Sequence, residues 1–467
     1  DGKASVTLGR DATTAILLED DGKTTALDSQ RQALLNESAT QDKVRSTAAQ
    51  GAFDNLSRLQ DRRDQSRVEI VSGGTVEAQA GSLTLATGGQ IVVDARQRTL
   101  LGDGARVDVS GATGVKVAME SNQLEINVQG NELRDAPDVR DAGTLNSSRV
   151  WVDRRGLIYV PAGTGGHEGE RWYAGGGLLE VSGYLGNQRH SIGEWAAQGG
   201  TVQLAGSEVV SAAGSRINLS GGSLDVASGM LKESWLRGND GQLYRLDDAP
   251  VDRGFAGPYR GFEVEQARWG ITEAWRNPLI GNESRYENGY TVGRDAGRLL
   301  VSAPSAVLEG QIDTAVFNGV RQTRAPGSST DGYVQSQTAV ARGAQLWLGR
   351  YDGTGRNAVF DSQVRIGTAP AATARWSLQS ALDESRRNTV WLDGAQLSAQ
   401  QWGRLDLATA GGIRVDGELA LADGGQLNLV GGRVDINGQV RIGGGSLTAS
   451  NLLADATGRM QVVQANG

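Results

Sequence analysis

The chain has 467 residues, a formal net charge of -8 at pH 7, 67 glycines, two histidines and no cysteine. Without cysteine there are no disulfides, thiolate metal sites or thiol nucleophile, and the acidic excess offers no positive field to hold a phosphate backbone, so nucleic acid is not an expected partner. No stretch reaches the ~18 consecutive apolar residues of a membrane helix, and glycine at about twice its usual ~7% share points to chain corners used periodically.

Residues 1–23 read as coil text. The start "DGKASVTLGR" lacks the charged and apolar regions of a signal peptide, and repeat-like text at both ends leads us to expect a segment of a longer chain. Residues 24–67 change character, with few glycines and apolar Leu27, Leu34, Val44, Ala48, Ala52, Leu56 and Leu59 at helical spacings. This predicts a helical insertion, broken near 36–40, where Ser38 and Gln41 stand at capping-box spacing. It reads either as a lateral arm for a partner or as a cover for one face of the coil.

Residues 68–114 return to short alternating runs separated by glycine corners, as in "GGTVEAQAGSLTLATGGQIVVDA". Residues 115–175 lose that rhythm and read as a loop-rich insertion. Coil text resumes over 176–227, in "GGLLEVSGYLG" and in Gly199-Gly200-Thr201-Val202, which comes back 22 residues later as Gly221-Gly222-Ser223-Leu224. Residues 228–295 form an aromatic-rich insertion, and across it and the earlier departure aromatics gather: 13 of the 19 Trp and Tyr lie between Trp151 and Tyr290. Exposed rings beside Asp, Arg and Asn can stack on sugars or anchor a protein, which makes Trp172, Trp195, Trp235, Trp269 and Trp275 candidate ligand-binding residues. The same rings can equally pin long loops onto the coil.

Residues 296–467 are coils with extended loops, and the repeat is clearest there. Val415-Asp416-Gly417-Glu418-Leu419 aligns with Ile436-Asn437-Gly438-Gln439-Val440, and Gly424-Gly425-Gln426-Leu427 with Gly444-Gly445-Ser446-Leu447. Alternating aliphatics put one set of side chains on a single strand face, and the Asp-Gly, Asn-Gly and Gly-Gly pairs accept the left-handed angles of tight corners. Three short strands and three corners per 20–22 residues predict an all-β fold: a right-handed parallel β-helix whose aliphatics stack in inward ladders.

Catalytic signatures are missing. His167 and His190 lack metal-ligand spacing and read as solvated loop residues, and no nucleophile elbow, phosphate cradle or HExxH occurs. Asp103, Asp393, Asp416 and Asp423 before glycine are turn residues, not the calcium repeat of a β-roll. Neither a cofactor nor a metal is expected.

The coil text "GGTVQLAGSEVVSAAGSRINLSGGSLDV" and "YTVGRDAGRLLVSAPSAVLEGQIDT" resembles the filamentous haemagglutinin-like exoproteins of Gram-negative bacteria. The resemblance implies two-partner secretion through an outer-membrane β-barrel transporter and folding outside the cell into a β-helical filament. It further implies adhesion, biofilm formation or contact-dependent competition, with a glycan or surface protein as ligand. The Asn-Pro-Asn text of the family's secretion domain is absent, Asn277-Pro278-Leu279 being nearest, and so is the Val-Glu-Asn-Asn junction of its toxin-bearing members. The expected function is a non-enzymatic structural and adhesive shaft at the cell surface. The alternatives are the stalk of a contact-dependent toxin and a polysaccharide-degrading enzyme on the same scaffold.

Overall fold

A computed structural model describes residues 4–18, 24–27, 66–128, 148–185, 188–250, 252–259, 262–266, 268–275, 284–326, 337–352, 355–373, 375–454 and 460–462. Its centre is a parallel β-helix with three faces. On the first face, strands Arg67–Ser72, Gln90–Ala95, Thr201–Ala205, Arg298–Ser302 and Gln345–Leu348 stack in parallel register. The leading parts of Arg404–Val415, Gln426–Ile436 and Ser446–Ala454 continue that stack. Eight rungs at the ~4.8 Å strand spacing rise roughly 34 Å.

The alternating pattern fixes which side chains enter the core. Val68, Ile91, Val202, Leu299, Leu346, Leu405, Leu427 and Leu447 stand one above another on consecutive rungs. All but Leu447 are buried. Ile70, Val93, Leu204, Val301, Leu348, Leu407, Leu429 and Ala449 form the second column. The corner leading into this face is a column of glycines packed backbone on backbone: a Cβ on Gly200 would lie 1.9 Å from the Gly89 carbonyl oxygen, and one on Gly297 2.3 Å from that of Gly200. Only glycine fits such a corner.

The recurrence of Gly-Gly-hydroxyl-aliphatic therefore marks the corner at Gly199, but the second copy does not belong to the stack. Val202 is covered by Leu299, 97 residues on, whereas Ser223–Val226 leaves the coil and pairs parallel with Val115–Val117 and antiparallel with Tyr290–Gly293. At the other end of the chain the repeat matches the register residue for residue: Val415 faces Ile436, Leu419 faces Val440 and Leu427 faces Leu447.

The second face carries Ser5–Leu8, Thr75–Ala78, Arg98–Leu101, Glu208–Ser211 and Ser305–Leu308, and the third face Thr13–Ile16, Leu83–Ala86, Arg106–Asp108, Arg216–Asn218 and Gln311–Asp313. Beyond these the second face departs from chain order. Strand Thr389–Asp393 is inserted between Ser305–Leu308 and Gln363–Gly367, although Gln363–Gly367 precedes it in the chain. Over the same rise the first face holds Gln345–Leu348 alone. The third face meets the extra height with a helix, Gly394–Gln400, capped by the Asp393 side chain on Gln396 N. It takes the place of a strand there: Gln396 Nε2 donates to Gly310 O below, and Ser398 Oγ accepts from Ala420 N above. A helix about 10 Å wide occupies the height of roughly two rungs. Trp402, fully buried, directly follows it and donates its indole N–H to Gln400 Oε1.

The expected helical insertion lies outside the described residues except at its ends. These are not helical: Thr24–Leu27 is a strand antiparallel to Arg189–Ser191, and Arg67 begins a coil strand. Among the described residues no helix is long and apolar enough to cross a membrane.

Leu427→Asp places an unpaired carboxylate between Leu405 and Leu447 and is expected to cost at least about 4 kcal/mol, read as loss of protease resistance and of the thermal transition. Trp402→Ala empties the space beside the corner helix and should cost about 3–5 kcal/mol, measured by chemical denaturation.

Candidate functional site: a lateral lobe on the coil

Two long excursions leave the stack from the third face, after Arg106–Asp108 and after Arg216–Asn218, and each returns at the first face. They fold together. Gln123–Val128 pairs antiparallel with Ser148–Asp153, Trp235–Gly238 lies between Leu243–Arg245 and Phe255–Pro258, and one apolar cluster joins Leu124, Ile126, Val150 and Val152 of the first excursion to Leu236, Leu246 and Ala249 of the second. The insertions expected as loops are thus antiparallel strands around a core of their own. Residues 176–185, expected as coil, also belong to this lobe: Leu179–Glu180 pairs antiparallel with Tyr173–Ala174, and a helical turn, Ser182–Leu185, follows. Leu179, Val181, Tyr184 and Leu185 pack on the lobe core, so an alternating pattern alone does not distinguish a coil strand from a hairpin strand.

The five candidate tryptophans fall on four separate elements. Trp172 packs against the lobe core with its ring 4.8 Å from that of Tyr159. Trp195 is half-buried on a short helix, Ile192–Ala196, closed by a Ser191–Glu194 capping box. Trp235 is half-buried at the start of its strand, and its indole N–H is buried without a partner. Trp269 is 69% exposed at the tip of the hairpin Phe262–Gln266 and Ile271–Trp275, with the Arg268 guanidinium 5.8 Å from its ring. Trp275 faces Phe262 in that hairpin, and its side chain lies outside the described residues. Of the described rings, Trp172 is engaged in the lobe core and Trp269 is the most exposed.

A second exposed group was not legible as one. Met230 and Tyr286, both exposed, face each other across the strands Gly229–Lys232 and Ser284–Glu287. Two residues further along the first strand, the Lys232 ammonium sits 3.9 Å over the Trp151 ring. Tyr286, Met230, Lys232 and Trp151 thereby form a stripe from three strands.

Beside this stripe a dense ionic network joins the two excursions to each other and to the segment that follows Asp313. Arg155 pairs with Asp153 and, at 2.6 Å, with Glu287, and its guanidinium also donates to the Tyr290 hydroxyl at 3.1 Å. Arg285 reaches Glu233 at 2.7 Å, Asp153 at 3.2 Å and Glu287 at 3.2 Å, and Arg321 completes the cage on Glu287 while lying 4.0 Å over the Tyr290 ring. Tyr290, Gln337 and Asn122 close a ring of hydrogen bonds beside it. Hydrogen bonds from Arg155 and Arg321 hold the Glu287 carboxyl down at about 2 against its partial burial. Asp247 behaves oppositely: burial pushes it up to about 6, with Asp153 and Asp248 adding repulsion, although it accepts a hydrogen bond from Asp153 N.

His190, read as solvated from its loop text, is buried, with Nδ1 3.2 Å from Glu194 Oε1. Burial opposes ionisation of Glu194, but His190 and the Ser191 N–H outweigh it and keep the carboxyl below its usual range. His167 is exposed. Among the described residues no group of three His, Cys, Asp or Glu is placed to hold a metal. A shallow pocket of about 260 Å³ opens between Asn239, Asp240, Asp252, Arg253 and Gly254. The acids of the network are engaged by guanidinium groups, an arrangement that holds the excursions together. No family model matches the chain, and no curated protein or solved structure is similar to it.

Asp247→Asn should stabilise the protein. The folded pKa lies above the unfolded one, so ionisation penalises the fold fully above about pH 6 and not at all below the unfolded carboxylate value near 3.8. The variant is expected to gain roughly 2–3 kcal/mol at pH 7.5, the gain fading as pH falls towards 4, measured by denaturant melts across that range.

Proposed function

We propose that this chain is a segment of a secreted, cell-surface filament, a structural and adhesive β-helical shaft without enzymatic activity. Its coils provide length and stiffness, and its lateral lobe meets a glycan or a surface protein. The observation that carries this reading is a set of exposed rings on segments that leave a stacked rod: Trp269 stands at a hairpin tip and Tyr286 faces Met230 on a neighbouring strand, while Arg155, Arg285 and Arg321 tie the excursions together around Glu287. Exposed rings of this kind provide large contact area at low entropic cost. Secretion through an outer-membrane β-barrel transporter, and with it placement outside the cell, rests on the resemblance of the coil text.

The excess of acid over base, 54 against 46, favours solubility of the rod and discourages lateral clumping. The absence of cysteine suits a chain that crosses an oxidising compartment before folding.

The test is binding of the purified chain to a glycan array and to intact bacterial and epithelial cells, with small-angle scattering to confirm that variants keep their shape. The combination Trp269→Ala, Tyr286→Ala and Met230→Ala is expected to weaken binding at least ~10-fold with the scattering profile unchanged. Failure of the unaltered chain to bind any of these surfaces would overturn the adhesive part of the proposal.

A further inference from the structure

The stack is not equally strong along its length. Between the rungs that begin at Thr201 and Arg298, all three faces are joined by parallel backbone ladders. One layer further on, the first face still pairs Arg298–Val301 with Gln345–Leu348, but on the second face only Ala306 and Val307 find register partners, Val390 and Trp391 of the inserted strand. Among the described residues the third face has no strand at this level but the helix Gly394–Gln400, tied down by side chains: Gln396 Nε2 to Gly310 O, and Thr314 Oγ1 to Gln400 O. The inserted strand is itself entered through Asn388 at φ +47°, in the left-handed region. On its far side it is far better held, facing Gln363–Gly367 over its whole length. The chain thus divides into two coil stacks with a thin joint between them.

Residues 368–388 cross that joint. The segment begins in the upper stack, after Gln363–Gly367, and lies down over the outer second face of the lower one. There Trp376, Leu378 and Leu382 pack on Leu100, Val210, Ala212 and Val307, the outward residues of three successive rungs and their corner. Arg98 donates to the carbonyls of Ser377 and Leu378 at 2.9 and 3.2 Å. Glu309, on the lower stack, accepts from Trp376 Nε1 at 2.8 Å and from Arg386 at 2.9 Å, and Arg386 also holds Thr373 Oγ1 and Ala371 O. Arg386 is buried.

We propose that 368–388 is a strap that locks the two stacks together, and that the layer between Ser305–Leu308 and Thr389–Asp393 is the joint at which the rod opens when the strap is released. A uniform β-helix opens by fraying from its ends; this one has an internal seam closed by a polar latch of Glu309, Arg386 and Trp376. The inference stands apart from any adhesive role of the lobe.

Hydrogen exchange on the whole chain tests it. In the unaltered protein the amides of 305–308 and 389–393 are expected to exchange together, at least ~10-fold faster than those of 201–205 in the stack below. Arg386→Ala should accelerate the same amides by a further factor of about 10 and leave 90–95 and 201–205 unchanged. Because the chain has no cysteine of its own, the pair Ala306→Cys and Val390→Cys can cross-link the joint in the Arg386→Ala background, and the disulfide should restore protection. Uniform exchange along the stack in the unaltered protein would sink the proposal, whether or not the Arg386 variant folds. So would a variant in which every ladder accelerates alike, or a cross-link that restores nothing.

Discussion

Parallel in-register pairing is the constraint from which the rest of this molecule follows. Each strand hydrogen-bonds to the same positions of the strands above and below, so side chains of successive coils meet like on like at about 4.8 Å. Residues at one height therefore restrict those at the next. An aliphatic at Val202 requires aliphatics at Ile91 and Leu299, and a corner at Gly89 requires glycine again at Gly200 and Gly297 because their backbones touch. A chain obeying this rule can insert material of any length between rungs, provided that it leaves at a corner and returns in register. The excursions that build the lobe do so: the chain resumes the first face at Arg298, 97 residues on from Thr201 and opposite it.

The same rule explains the distortion in the middle of the stack. An extra strand on one face raises that face by a rung, and a flat continuation would open gaps on the other two. The helix Gly394–Gln400 supplies height on the third face, and Trp402 supplies volume in the core between them. The first face absorbs no extra rung, so Gln345–Leu348 bridges the level alone. Strand, helix and tryptophan are consecutive in the chain, and each is intelligible only through the others: the strand makes the space that the helix and the indole fill.

What could be read from the sequence followed from how local the governing interaction is. Where one coil follows another without interruption, as from Arg404 to Ala454, the period is visible and the aligned residues are the paired residues. Where an excursion intervenes, the true partner of Val202 lies at Leu299, beyond a hundred-residue window of unrelated text, and the eye finds Leu224 instead. The lobe strands were missed as strands because their alternation is broken by turns and aromatic residues, and their partners come from distant segments. The reversed strand order over 363–393 leaves no local trace, since Gln363–Gly367 and Thr389–Asp393 have the same alternating text and either could have come first. Among the candidate side chains, Trp269 lies between Arg and Gly in a turn and is exposed, whereas Trp172 is drawn into the lobe core. The stripe of Trp151, Lys232, Met230 and Tyr286 is made by pairing across strands, which single-chain text does not display.

Two kinds of join hold the molecule together. Within the coil, neighbouring rungs adhere by backbone ladders and apolar columns, with outward cross-rung ion pairs such as Arg98–Glu208 and Arg216–Asp313 beside them. The excursions and the strap are held differently, through ion pairs whose members come from several segments: Glu287 with Arg155, Arg285 and Arg321 between the excursions, and buried Arg386 with Glu309 where the strap lies on the coil. Desolvated ion pairs add little net stability against an apolar alternative, but leaving one partner alone is costly. They therefore tolerate one arrangement and penalise slippage. Apolar stacking gives the rod its length, and ionic pairing fixes how the excursions fold against one another and where the strap lies on the coil.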